Sequence, residues 1–450
     1  MCVRVMFALA AILSAAAPST TPAVPASKID AYVQPYVETN NFAGAVLVAR
    51  NGTPIFARTY GDADRERHLP NEWHTRFHVA SMSMQFTAAA ALRLIDAGAM
   101  TLDTPVSAII GDYPNGQKIT VRNLLTQTSG IADINAQPDY DAILRSHQSP
   151  LSLVAAVRGV APLRLPGTYE REEHSAYNLL ALIIERKSRQ PFAAAMKRLV
   201  FRPLGMNDSG IDDDSPAVKH AAAKGYAPSA LYDLVAADPI HWSAKAGNGS
   251  AYTTAADELK FANALFGSKF LSPRLRNAML NLNERVGYGW FKSTSTRFAE
   301  PVYSMNGRAP GYSSAIAYFP NERLLIVALS NIYASVPTDM AYDIAALMLG
   351  RPYEQLALKR EAEARSLNGL PASFHFPKDF YQPNAVVRVT ADGQQVRLHW
   401  PSGETSSLIP LDSDRYMDRS YWVRVETVRD SGGRITQLNY DRFTGERVPN

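Results

Sequence analysis

The segment from Ser81 to Ala97 restricts this chain more than any other. Its alanines, with Phe86, Leu92, Leu94 and Ile95, run without a helix breaker until Gly98. Such residues favour helix, and a helix this largely apolar is expected to be mostly buried by other elements. The fold must therefore be built around this helix, with Ser81 in its first turn. The chain has the material to do so. Its 450 residues, 46% hydrophobic and 20% charged, are enough for one large or two ordinary domains with a filled core, and they exclude disorder, collagen and coiled coil.

Elements that could enclose the helix lie on both sides of it. Ala43 to Ala49 is a continuous apolar run closed by Asn51-Gly52 and followed by Ile55 to Tyr60, which is hairpin chemistry. Ser313 to Phe319 and Leu324 to Ser330, split by Pro320-Asn321-Glu322, form a second hairpin. Helices are expected over Ile29 to Val37, Leu179 to Lys187, Glu258 to Phe266 and Thr338 to Leu349, the third opened by Thr254 and Asp257 as a capping pair. Strands towards both ends with helices between them predict one mixed α/β unit to about residue 350. Beyond it, Glu354 to Leu367 reads as a charged helical connector, the Lys359 to Arg365 run being a solvated face. Val386 to Thr390, Gln395 to Trp400, Tyr421 to Val428 and Ile435 to Tyr440 then alternate like strands, so residues 370–450 read as a small all-β domain after a linker at 351–369.

Charge excludes one class of function. Lys and Arg number 46 against 42 Asp and Glu, an evenly spread +4 that is no nucleic-acid footprint. Arg4 followed by the apolar run Val5 to Ala17 and small residues has the pattern of a signal peptide within residues 1–26. Export to a periplasm or the medium is the expectation. The apolar run is shorter than the ~20 residues a span needs, so no stable membrane span is expected after cleavage. The only cysteine, Cys2, falls in this segment, leaving residues 27–350 without a disulfide or a thiol nucleophile. His68, His74, His220 and His241 lack the spacing of His-Glu-x-x-His, so neither a metal nor another cofactor is expected. Oligomeric state is not encoded in any pattern seen.

Several ordered blocks carry a resemblance. The stretch Phe77-His-Val-Ala-Ser81-Met-Ser-Met84-Gln-Phe-Thr is followed by Leu124-Leu-Thr-Gln127-Thr-Ser-Gly130, Pro166-Gly167, Pro203-Leu-Gly-Met206 and Gly307-Arg-Ala-Pro-Gly311-Tyr-Ser-Ser. From about Ala43 to Leu349 the chain resembles the serine β-lactamase and penicillin-binding-protein-like hydrolases. The resemblance implies a five-stranded antiparallel sheet flanked by helices, with an all-helical insert. Some members of the family also carry a C-terminal β domain. It further implies Ser81 as nucleophile, with the backbone N–H groups of Ser81 and Arg308 as the oxyanion hole.

The proton-handling positions depart from the family pattern. A lysine one helical turn after the serine shares its face and can take its proton, but Met84 stands there. The Tyr-x-Asn motif maps onto Glu172-Glu173-His174, and the cation of the sheet strand onto Met305 in Met305-Asn306-Gly307. Gln127 replaces the histidine of Leu-Thr-His-Thr-Ser-Gly. Substrate is therefore expected to meet Met84, Met305, Asn306 and Gly307. With two cations gone and Glu172 added, the pocket should repel carboxylates unless Arg308 or Arg171 points inward. A neutral or cationic small molecule or oligosaccharide is expected in place of a β-lactam. The leading expectation is hydrolysis of an ester or amide by Ser81, with His174 as base and a glutamate orienting it. In the second, Glu172 packs against Met84 and Met305 as a general acid, and Asp133 or Glu173 serves as the second carboxylate of a glycosidase. In the third, the cleft only binds. His78 is expected to be packed, as are Trp242 and Tyr252 around Gly247-Asn248-Gly249, although the last two could stack on a ligand.

Overall fold

In the computed structural model, the described residues are 24–169, 172–215, 222–267, 270–280, 286–294, 297–298, 300–334, 336–358 and 368–449. The leader pattern up to residue 23, Arg171, His220 and the Lys359 to Arg365 run lie outside them. The central sheet is antiparallel and has strands β1 (Gly44–Arg50), β2 (Thr53–Tyr60), β3 (Val286–Gly287), β4 (Trp290–Thr294), β5 (Pro301–Ala309), β6 (Tyr312–Phe319) and β7 (Leu324–Ser330). Their spatial order is β3-β4-β5-β6-β7-β1-β2. Both expected hairpins are present. Five strands, β5 to β2 in that order, answer to the sheet the resemblance implies; the short β3 and β4 extend its edge to seven.

Successive side chains on a strand point to opposite faces, so a strand covered on both sides reads as a continuous apolar run. In β1, Ala45, Leu47 and Ala49 enter one hydrophobic cluster while Val46 and Val48 enter another. In β7, Leu325, Val327 and Leu329 join the first and Leu324, Ile326 and Ala328 the second. The first cluster is shared with helices α2 (Met84–Asp96) and α3 (His174–Ser188), the second with α1 (Ala26–Glu38) and α4 (Val336–Met348). Helix α2 is buried on nearly all sides, as its composition requires. Helix α3 starts five residues before the expected Leu179. Its first turns carry Ser175 and Asn178, whose polarity hides the apolar period. Both are satisfied by tertiary bonds: Ser175 Oγ accepts from the Ile134 N–H at 2.7 Å and Asn178 Nδ2 donates to the Ala246 carbonyl at 2.7 Å.

Thr254 caps its helix by accepting from the Asp257 N–H at 3.2 Å, but Asp257 does not reach back. Its carboxylate instead takes the Asp208 N–H and the Ser209 hydroxyl. Residues 354–358 of the expected helical connector are not helical. They are held by side-chain contacts, with Leu356 buried and Glu354 paired with Arg424. The C-terminal unit is a closed barrel of eight antiparallel strands running from Ala372–His375 to Phe443–Val448, which pair with each other. Four of the eight are short or polar and show no readable alternation: those two, Thr405–Pro410 and Arg415–Asp418. Among the described residues no helix is long and apolar enough to cross a membrane.

The barrel is keyed into the first unit. Ile409, Met417 and Trp422 belong to the same cluster as α1 and α4, and Trp422 meets Tyr36 with ring centroids 5.8 Å apart. Arg419 is wholly buried. Its guanidinium donates to Asn41 Oδ1 at 3.0 Å, to the Asn40 carbonyl at 3.0 Å, to the Asp233 carbonyl at 2.9 Å and to the Ala230 carbonyl. Burial lowers its pKa to about 10. Arg419→Ala leaves several buried acceptors unpaired and is expected to cost about 3 kcal/mol, read as a lower urea midpoint.

Candidate active site

The nucleophile position is made by backbone. Phe77–His78 pairs with Tyr252 and Thr253, and the Val79 N–H donates to the Ala251 carbonyl at 3.1 Å. The chain then reverses through Ala80, whose φ of +47° lies in the left-handed region that costs a non-glycine residue about 1–2 kcal/mol. Ser81 follows in a tight 3-10 turn, Ala80–Ser83, that leads into α2. Among the described residues its hydroxyl has no hydrogen-bond partner, and it is only partly buried. Strand β5 closes over this turn. Its register with β4 ends at Phe291 opposite Ser304, so Met305 to Arg308 present an edge that β4 does not cover. Gly307 lies so close that a Cβ there would fall 2.1 Å from the Val79 carbonyl oxygen and 2.8 Å from the Ser81 nitrogen.

A cavity of about 210 Å³ opens at this junction, lined by Ser81, Glu172, His174, Asn306, Gly307 and Arg308 together with the first turn of α4. Six residues singled out from the sequence thus meet in one cleft. Met84 and Met305 do not line it. Both side chains are buried in the core, and the Met84 sulfur lies 3.9 Å from Gln127 Nε2. Without a charged end, each side chain gains more from the apolar interior than from the cleft.

His174 is the first residue of α3. Its Nδ1 lies 3.1 Å from Asp133 Oδ2 and its Nε2 3.6 Å from Glu172 Oε2. The orienting carboxylate at Nδ1 is therefore Asp133, where a glutamate was expected. Burial works against the imidazolium, but Glu172 and Asp133 outweigh it and hold the His174 pKa above its ordinary value. Glu172 sits beside this imidazole and not in an apolar pocket between Met84 and Met305. Glu173 is no second carboxylate for the cleft. It is buried, paired with Arg164, and accepts from Ser129 Oγ at 2.6 Å and from the Ser129 and Gly130 N–H groups at 2.9 and 3.0 Å. Asp133 and Glu172 flank the two nitrogens of one ring and do not face each other across open space.

Sequence reasoning missed Lys245, which lies just before the Gly247-Asn248-Gly249 loop. It is buried and donates from Nζ to the Tyr140 hydroxyl at 2.8 Å. Burial pushes its pKa down to about 8, against the opposing pull of Asp133 and Glu172. The Arg308 guanidinium does not point freely into the cleft. It lies between the rings of Tyr333 and Tyr421, at 4.4 and 4.1 Å from their centroids, and donates to the Ser420 carbonyl of the barrel. His78 is packed: it stacks on Trp242 at 3.9 Å and bonds Asp212 at 2.9 Å, and burial lowers its pKa. Tyr252 lies half-buried beneath Arg76.

The family profile described as Beta-lactamase matches residues 29–349. Penicillin-binding protein 4* of Bacillus subtilis is 25% identical over 86% of this chain and 90% of its own length. Esterase EstB of Burkholderia gladioli is 33% identical over 46% of this chain and 57% of its own. The octameric penicillin-binding protein homologue from Pyrococcus abyssi superposes with a TM-score of 0.65 at 21% identity, covering 94% of this chain and 100% of that one.

The closeness of Gly307 to the Ser81 turn carries a prediction. Gly307→Ala is expected to force β5 away from Val79 and Ser81, costing about 1–3 kcal/mol in chemical denaturation and removing any reactivity of Ser81. Asn306→Ala, at an exposed position of the same strand, should leave stability within about 0.5 kcal/mol.

Proposed function

The chain belongs to the beta-lactamase family, and on that premise we propose that its cleft hydrolyses a neutral or cationic ester or amide through Ser81. One observation carries this reading: a serine at a helix start and an imidazole held at Nδ1 by Asp133 line a single cavity. With Nδ1–H donating to Asp133, His174 Nε2, which lies 3.6 Å from Glu172 Oε2, is the nitrogen left to serve as base. Ser81 Oγ attacks the carbonyl carbon and its proton passes to Nε2, while the carbonyl electron pair moves onto oxygen. The N–H groups of Ser81 and Arg308 are suited to hold that oxygen. Collapse expels the alcohol or amine, which takes the proton from His174, and water repeats the sequence to free the serine. The likeness to an esterase supports an ester as the bond cleaved.

Glu172 selects against carboxylate substrates and tunes the base. It is a carboxylate among the lining residues, and the Arg308 cation beside it is occupied by two tyrosines. Export belongs to the same proposal and rests on the pattern of Arg4 and Val5 to Ala17. A glycosidase reading has no support in the site, since Glu173 and Asp133 are both engaged elsewhere.

Intact mass after treatment with a fluorophosphonate and a fluorescent penicillin tests the proposal. The phosphonate should label the native protein, the penicillin should not, and Ser81→Ala should abolish labelling. His174→Ala should slow labelling and short-chain ester hydrolysis on the order of 10²- to 10⁴-fold. Absence of labelling in the native protein retires the serine mechanism and leaves a binding cleft. A second prediction follows from the raised His174 pKa. The base must be neutral, so the rate should rise with pH through a midpoint above the ordinary imidazole value. Glu172→Gln removes the larger of the two charges holding it up. The acid limb of kcat/KM should then move to lower pH; an unmoved limb would assign the titration to another group.

A further inference from the structure

Three polar side chains with no part in the cleft chemistry converge on one point of the surface. They come from different segments: His147 follows the short helix Tyr140–Leu144, Asp214 follows the strand Gly210–Ile211, and His241 precedes the 3-10 turn Trp242–Lys245. Asp214 Oδ2 lies 3.2 Å from Nδ1 of His147 and 3.2 Å from Nδ1 of His241. Among the described residues, this is a group whose three ligand atoms all lie within 4.8 Å of one another. The Asp214 carboxylate is only 8% exposed, and its other oxygen, Oδ1, accepts the Trp242 N–H at 2.9 Å. That bond fixes the carboxylate plane and leaves Oδ2 directed at the two imidazoles.

Oδ2 has lone pairs for both Nδ1 contacts, and neither contact engages an Nε2 atom. As a ligand set the three are well matched. Atoms about 2.0–2.1 Å from a tetrahedral zinc ion lie about 3.3 Å from one another, close to the spacing that the two Nδ1 atoms already keep from Oδ2. Two imidazole nitrogens and one carboxylate oxygen suit borderline divalent transition metals and not magnesium or calcium, which take oxygen ligands. The Trp242 N–H supplies the outer hydrogen bond that orients a ligating carboxylate.

We propose that His147, Asp214 and His241 bind one divalent transition-metal ion of the zinc class, with water completing its coordination. The ion ties together three segments that are distant in sequence. The turn it anchors carries Trp242, stacked on His78 three residues before Ser81, and ends in Lys245. Spacing along the chain gave no expectation of a metal here.

The experiment uses the full chain, stripped with a chelator and dialysed. Zinc titrated by calorimetry should bind with one saturable equivalent and raise the thermal midpoint. Cobalt(II) at the same site should give visible absorption bands of four-coordinate N/O ligation. His147 is 65% exposed, so His147→Ala retains the fold and should weaken zinc binding at least tenfold and abolish the rise in midpoint. His241→Ala should do the same. His74→Ala removes another exposed imidazole, one that lies 3.4 Å from Asp208, and should leave binding unchanged. No saturable binding by the native chain, or equal binding by His147→Ala, overturns the proposal. Binding lost equally in His74→Ala marks adventitious surface chelation and also overturns it.

Discussion

The contact on which the site depends is backbone against backbone, where Gly307 of β5 meets the turn from Val79 to Ser81. No side chain fits between them, since a Cβ on residue 307 would overlap the Val79 carbonyl. The turn in turn requires Ala80 in a left-handed conformation, a strain that persists only because its surroundings over-determine it. Those surroundings are the Val79 bond to Ala251 on one side and the enclosed helix α2 on the other. The core that buries α2 thus holds the serine at the edge of β5. The position of the serine is set by backbone contacts and does not depend on the side chains at positions 84, 172 and 305.

Much of this could be read from the chain because it is written in local pattern. The two-faced strands β1 and β7 appear as continuous apolar runs, and α2 as a run without breakers. Glu172 and His174 are reached by spacing from Pro166-Gly167, and Ser81 and Arg308 from the blocks that carry the resemblance. The remainder depends on partners distant in sequence. Asp133 was considered only as a second carboxylate, because nothing local says that it meets His174 Nδ1, 41 positions away. Lys245 carries no mark beyond lying before a glycine loop; its character comes from burial beside Tyr140. Met84 and Met305 were expected in the cleft because the family's cations point there. A thioether has no reason to do so, and both turned into the core. The metal-type cluster was invisible for the same reason, its members being 67 and 27 positions from Asp214.

The barrel takes part in the electrostatics of the cleft. Arg308 would be a cation at the rim, available to a carboxylate substrate, if its side chain were free. Tyr421 and the Ser420 carbonyl hold it from the barrel side and Tyr333 from the other. The neighbouring residue Arg419 locks the same loop into the first unit through buried carbonyls. One short barrel segment therefore both anchors the two units together and holds the Arg308 guanidinium between aromatic rings at the rim of the cleft.

A histidine acting as the base in the proposed reaction meets a problem of charge, since two carboxylates flank its ring. An imidazole flanked by two carboxylates is stabilised as imidazolium, and a base that is always protonated cannot accept a proton from serine. Burial opposes the charged form of His174, and so does the nearby Lys245 ammonium. Lys245 is itself desolvated, with its pKa brought down to about 8, yet Asp133 and Glu172 favour its charged form. The four groups therefore share their charges: two carboxylates need a cation, and a cation supplied by Lys245 reduces the demand on His174 to be one. In the proposed reaction, a lysine outside the lining of the cleft would then favour proton transfer from Ser81 without touching it, by opposing the charged form of the imidazole.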